Sequence, residues 1–288
     1  GNLEEIGEGA FEGSKYITNF IIDVNTPIIE IAERTFYGCE SMQSMPLPNS
    51  VKYIRKNAFS SSGLKEITFP SLLFNISEGA FAGCTQLETV NLNGTSITSI
   101  GNYAFANCVN LSTIIISDNV ESIGEGAFYG TAITEIVLPA NITSIAARLF
   151  ENAVNLISVT AEGTITSIGE YAFAGTESLS NMPAGIMATV TSIGTGAFRA
   201  SGITSIVLGN SITEIPDEAF MDCKYLTNVQ LPSSIVKIGA HAFDGCNGLV
   251  SVEPNKWVRV REGTLYLVHD GELSEIEEAI NVTTIRNR

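Results

Sequence analysis

One phrase recurs along this chain and limits what it can fold into: an aliphatic residue, two variable residues, an isoleucine, four more residues and a phenylalanine. Clear copies run from Ile97 through Ile100 to Phe105 and from Val120 through Ile123 to Phe128. The phenylalanines are Phe11, Phe36, Phe59, Phe81, Phe105, Phe128, Phe150, Phe173, Phe198, Phe220 and Phe243, spaced 22 to 25 residues apart. A fixed period of that size means a solenoid, whose units bury their apolar faces only against their neighbours. Function is then expected on an extended surface rather than in one pocket.

The other positions keep the same frame. An apolar residue follows each phenylalanine by five or six positions, as at Leu87, Leu111, Ile133 and Leu226. The repeats of Phe59, Phe128 and Phe198 are one residue shorter there. Apolar residues follow three and then two positions on, as at Val90 and Leu92 or Ile114 and Ile116, and that alternation is strand periodicity. Pro48, Pro70, Pro139 and Pro232 close the strands, because proline cannot donate to a ladder. One coil thus reads as a short parallel strand, a turn, the Ile-x-x-Ile segment and a short helical or 3₁₀ stretch around Ala-Phe. Stacked strands lie ~4.8 Å apart, so eleven coils predict a strand face roughly 50 Å long, with the phenylalanines as an internal spine.

The segment from Leu226 to Cys246 contains Leu226, Val229, Leu231, Pro232, Ile235, Ile238, Gly239, Ala242, Phe243, Gly245 and Cys246 at spacings that match L-x-x-V-x-L-P-x-x-I-x-x-I-G-x-x-A-F-x-G-C. This pattern resembles the BspA-like, Treponema-type leucine-rich repeat. The recurrent asparagine that follows the strand in other leucine-rich repeats has no fixed place here. The resemblance covers residues 3 to about 255. It implies an α/β right-handed solenoid with one parallel β-strand and a short helix or 3₁₀ segment per ~23-residue repeat. It also implies a bacterial protein at the cell surface or secreted, acting in adhesion and protein binding, with no enzyme activity in the repeat and no cofactor. The expected organisation is an eleven-repeat solenoid over 1–255 and a diverged capping unit over 256–288. A structural spacer and a surface glycan-binding module are the alternatives.

The chain is 44% hydrophobic and 16% charged, which excludes disorder, and it has no apolar run long enough to span a membrane. Its net charge of −16 argues against nucleic acid and anionic membranes, both of which need clustered Lys and Arg. The expected partner is an unidentified protein ligand, such as host extracellular matrix or a host cell surface, bound by a monomer. No signal-peptide pattern is read near Gly1, which opens in the middle of a repeat, so that end carries no information on secretion. Glu8, Glu33, Glu78, Glu125, Glu170 and Asp217 each lie two residues after the repeat isoleucine, where the first turn of a helix would favour an acid.

All five cysteines, Cys39, Cys84, Cys108, Cys223 and Cys246, sit three residues after a repeat phenylalanine, in a slot that elsewhere holds Ser, Thr or Ala. Free structural thiols are expected, although Cys84/Cys108 and Cys223/Cys246 fall in adjacent coils within disulfide reach. The two histidines, His241 and His269, form no Ser-His-Asp or Cys-His set, and no Cys-x-x-Cys offers a zinc site.

The strand face is more informative. Its outward row is expected to be Ile21, Pro46, Thr68, Asn91, Ile115, Val137, Thr160, Pro183, Val207, Gln230 and Glu253. The row beside it holds Thr113, Glu135, Ser158, Ser205 and Ser251 among others. The face is small, hydroxyl-rich and nearly uncharged. The candidate protein-binding residues are Thr113, Ile115, Glu135, Val137, Ser158, Thr160, Ser205 and Val207; β-propensity alone is the competing account. No aromatic platform follows Phe20 on this face, which argues against carbohydrate. Past the repeats, Lys256 to Leu267 alternates and predicts a hairpin, followed by acidic residues and a coil-like start at Asn281 to Ile285.

Overall fold

A computed structural model describes residues 3–232 and 234–247, and the backbone of three strands at 256–261, 264–269 and 272–273. The chain divides into two compact units. One comprises Gly1–Ile142 with Ala161–Gly163, the other Thr143–Thr160 with Thr164–Arg288. Each is a stack of coils in a parallel β-solenoid.

In the first unit the expected strand face forms a parallel ladder. Thr89–Asn91 pairs with Thr113–Ile115 in the register Thr89↔Thr113, Val90↔Ile114, Asn91↔Ile115. Single bridges, Asn19↔Ser44 and Pro46↔Thr68, continue it through the earlier coils. Burial alternates as the sequence predicts: in Glu135–Leu138, Ile136 and Leu138 point inward while Glu135 and Val137 point out. Each closing proline begins a turn instead of a strand. The N–H of Val51, Leu73 and Ile142 donates to the carbonyl of Pro48, Pro70 and Pro139 three residues earlier.

A second parallel ladder, not foreseen as strands, follows each turn. Glu30–Ile31, Tyr53–Ile54, Asn75–Ile76, Ser99–Ile100 and Ser122–Ile123 pair in order, with the repeat isoleucines in register and turned inward. The second unit repeats the arrangement with Ser144–Ile145, Ser167–Ile168 and Ser192–Ile193, and then with Glu214–Ile215 paired to Lys237–Ile238. There the strand face is carried by Ser205–Val207 against Asn228–Gln230.

The stretch around Ala-Phe is built from 3₁₀-type turns. The residues two before and two after every repeat phenylalanine are left-handed, for example Asn57 (φ 54°) and Ser61 (φ 57°) around Phe59. Left- and right-handed residues therefore alternate, and successive N–H groups point in different directions. Asn57, Phe59 and Ser61 donate to the next coil's Glu78, Ala80 and Ala82 carbonyls at 2.8–3.0 Å, while Ala58, Ser60 and Ser62 close turns within their own coil. The result is a third ladder between coils, and it rules out an α-helix here.

The first-turn account of the acids is accordingly corrected. Three of them pair with neighbouring coils instead: Glu78 with Lys56 at 3.0 Å, Glu125 with the Tyr103 hydroxyl at 2.6 Å, and Asp217 with the Ala240 N–H at 2.8 Å.

The phenylalanines form the expected spine. Ring centroids lie 5.2–6.1 Å apart from Phe11 to Phe128 in the first unit and 5.3–5.4 Å apart from Phe150 to Phe243 in the second, with planes nearly parallel. Phe36 through Phe243 are fully buried, whereas Phe11 is half-buried.

Two of the three short repeats bring the chain hard against the preceding coil. At Gly63 and Gly202 the trimmed loop passes so close to the preceding coil that a Cβ would overlap the carbonyl of Glu40 or Glu177. The opposite irregularity, the long coil between Phe173 and Phe198, is absorbed by the single α-helix among the described residues, Ala184–Thr189, which buries Ile186 and Met187. Pro183, expected in the outward strand row, sits instead at the N-cap of this helix.

Beyond the repeats, Lys256–Arg261 and Thr264–His269 pair antiparallel, as the alternation there predicts, and Glu272–Leu273 adds a third strand. The rest of the expected capping unit, including Asn281 to Ile285, and the row positions Ser251 and Glu253 lie outside the described residues.

Candidate binding face

In a parallel ladder without register shift, equivalent side chains stack in rows at the strand spacing of ~4.8 Å. In the first unit this places Asn91 beside Ile115 and Thr89 beside Thr113, with Glu135 and Val137 on the same outward side of their strand. Ile115 is 41% exposed and Val137 53%, so large aliphatic surface faces solvent from a ladder whose core is already filled by Ile114 and Ile136. In the second unit Ser205 and Val207 stand beside Asn228 and Gln230, and Val207 is 54% exposed. Thr160 is exposed and Ser158 half-buried on Ser158–Ala161. The candidate residues thus fall into two sets: Thr113, Ile115, Glu135 and Val137 on the first unit, and Ser158, Thr160, Ser205 and Val207 on the second.

Several hydroxyls beside these rows are already occupied. Thr204 and Thr227 donate to the Ser180 and Thr204 carbonyls at 3.2 and 3.0 Å, and Ser205 donates to Asn181 Oδ1 at 3.0 Å. They stitch coils together, which leaves the aliphatic positions as the distinctive outward chemistry. Sequence reasoning missed one of these: Ile157 is 55% exposed, immediately before Ser158. The signal was available, since the same slot holds Ser112, Thr134, Ser180 and Thr204 in other coils.

The cysteine slot has a defined task. Each S–H donates to the carbonyl of the preceding coil's phenylalanine: Cys39 to Phe11 (3.2 Å), Cys84 to Phe59 (3.0 Å), Cys108 to Phe81 (3.1 Å), Cys223 to Phe198 and Cys246 to Phe220 (both 2.9 Å). Where threonine fills the slot, Thr131 and Thr176 turn their hydroxyls to their own coil's phenylalanine carbonyl. All five thiols are free and buried. Burial and the neighbouring Cys84 push the Cys108 thiol well up, and the neighbouring Cys223 together with burial does the same for Cys246. Such thiols stay protonated at neutral pH and are poor nucleophiles.

His241 is exposed, and its ring Nδ1 lies 2.6 Å from Asp244, whose carboxylate raises the imidazole pKa. Among the described residues no group of three or more His, Cys, Asp and Glu is arranged to hold a metal ion. No described helix is long and apolar enough to cross a membrane.

Coils knit by three ladders, a phenylalanine spine and an Ile-Gly-x-x-Ala-Phe turn define a leucine-rich-repeat protein. More narrowly, the chain belongs to the family of the BspA-type leucine-rich repeat region, whose profile matches six times across residues 4–127, 75–201 and 191–288.

Solved structures agree. A leucine-rich repeat protein from Bacteroides ovatus is 25% identical, with 88% of this chain and 82% of that one aligned at a TM-score of 0.59. A leucine-rich cell surface protein from Faecalibacterium prausnitzii is 26% identical over 87% and 83%, at 0.52. The leucine-rich repeat protein of T. pallidum is 30% identical over 57% and 76%, at 0.50. Comparison with curated proteins finds no match.

Proposed function

We propose that this chain is a non-enzymatic protein-binding module of a bacterial cell-surface or secreted protein, engaging its ligand through the strand face. The observation that carries this reading is the exposure of Ile115 and Val137 on the first unit's strand face and of Val207 on the second's. Outward aliphatic groups on a rigid ladder are inexpensive to desolvate and lose little conformational freedom, which suits them as interface anchors. The cell-surface description of the F. prausnitzii relative supports the location. The same reading takes 1–255 as the binding solenoid, 256–288 as its terminal cap, and the partner as a host matrix or surface protein met by a monomer.

The test begins with a screen of purified extracellular-matrix proteins and intact cell surfaces for a ligand. Ile115→Asp and Val137→Asp are expected to retain the parent's melting temperature and to weaken binding by more than ~1 kcal/mol each, as hot-spot residues do. Glu125→Gln and Glu170→Gln, in the turn segment, are expected to leave it unchanged. Undiminished binding by the strand-face variants, with loss in the turn variants, would move the site elsewhere. A screen with no ligand at all would favour a spacer.

A further inference from the structure

The second ladder of the first unit carries a surface that the strand-face reading does not use. Its outward row runs Ile29, Lys52, Phe74, Thr98 and Glu121, one residue before each short strand. Ile29 is 54% exposed and Phe74 45%. Leu72, 47% exposed, occupies a slot that holds Ser50, Ser96 and Asn119 in neighbouring coils. Large apolar side chains thus replace polar ones at positions that remain about half exposed. Phe74 meets the edge of Tyr53 with ring centroids 6.2 Å apart.

Ile29 and Tyr53 also line a groove of about 910 Å³ whose walls are strongly acidic. Its two cations are already engaged. Arg55 donates to Glu30 at 2.7 Å and lies 4.4 Å over the Tyr53 ring, and Lys56 pairs with Glu78 at 3.0 Å. Glu4, Glu5, Glu8 and Glu33 also line the groove and have no ion-pair partner among the described residues.

We infer that this groove is a second docking surface, and that its occupant is a cationic polypeptide segment that also presents apolar side chains. Charge complementarity makes the choice. Four carboxylates without an ion-pair partner repel an anionic segment and gain no counter-charge from a neutral one, whereas Lys or Arg would supply it. Apolar side chains between those cations would cover Ile29 in the groove and extend over Phe74, which meets the groove's Tyr53 edge-on.

The probe is a fluorescein-labelled peptide alternating arginine and leucine between glycines, read by anisotropy against the full chain at ~0.15 M salt, where long-range attraction is screened. Two companion peptides replace leucine by serine, or arginine by glutamate. The arginine-leucine peptide is expected to bind about tenfold more tightly than the arginine-serine one, and the glutamate peptide not at all. Phe74→Ser, and Glu8→Gln combined with Glu33→Gln, should each weaken binding about tenfold. Glu88→Gln, Glu214→Gln and Ile115→Asp should stay within about twofold, since distant sites act independently. If Phe74→Ser fails to fold, Phe74→Thr, which copies the residue of the same slot at Thr98, serves in its place. Equal binding of the arginine-leucine and arginine-serine peptides would overturn the inference. So would equal losses at Glu88 and Glu214, which would show attraction to net charge alone.

Discussion

Replacing Phe81 by alanine probes the stacked spine most sharply. Its ring lies 5.2 Å from both Phe59 and Phe105, meets Phe69 edge-on at 5.9 Å, and is fully buried. The substitution removes a whole ring from a site whose neighbours are held by backbone ladders on either side, so the cavity cannot collapse. The loss is expected at the upper end of the ~3–5 kcal/mol typical of buried Phe→Ala changes. At a few degrees per kcal/mol for a domain of this size, that lowers the melting temperature by roughly 8–15 °C. Phe11 makes the contrast: it is half-buried, stacks on Phe36 from one side and touches Phe20. Phe11→Ala is expected to cost about half as much or less. Urea and thermal melts monitored by circular dichroism provide the comparison. Equal losses at the two positions, or a loss below ~1 kcal/mol at Phe81, would refute a load shared between coils.

Other substitutions test the turns and the slot. Gly124→Ala should destabilise strongly, because the new Cβ would sit 2.5 Å from the Asn102 amide nitrogen of the preceding coil, whereas Gly185→Ala, in open space inside the helix Ala184–Thr189, should raise stability by ~0.5–1 kcal/mol. Ala200→Gly should raise the melting temperature, since Ala200 is held at φ 54°, where a Cβ is strained by ~1–2 kcal/mol. Thiol titration should find no reactive cysteine in the native protein and five on denaturation without reductant; a single thiol would mean that Cys84/Cys108 and Cys223/Cys246 had paired.

The features legible in the sequence were those with a strict period and a burial signature. Alternation at Thr89, Val90, Asn91 and Leu92 placed the strand face, and the Phe interval placed the spine. The second ladder was not legible, because two-residue strands such as Ser99–Ile100 are too short to show alternation. The left-handed residues flanking each phenylalanine were hidden by their occupants. Arg34, Tyr103, Tyr171 and Glu218 carry no glycine-like signal, yet inter-coil hydrogen bonds hold them in that conformation. That is also why acids near Ala-Phe resembled a helix start. The cysteine slot read as a matter of size alone, since nothing in one coil's sequence shows that the preceding coil's carbonyl needs a donor. On the candidate face, outward aliphatics were legible where they replaced the row's usual residue; Ile157, before its strand, and Phe74, on the second ladder, obey the same logic outside the row that alternation marks.

The most direct measurement is site-specific photo-crosslinking with the ligand found by screening. A photoreactive residue is placed at Val137, outward on the strand face, or at Glu125, in the turn segment of the same unit. The strand-face account predicts ligand crosslinked from Val137 and not from Glu125, with the Val137 yield abolished by Ile115→Asp. Crosslinks from Glu125 with none from Val137 would contradict it.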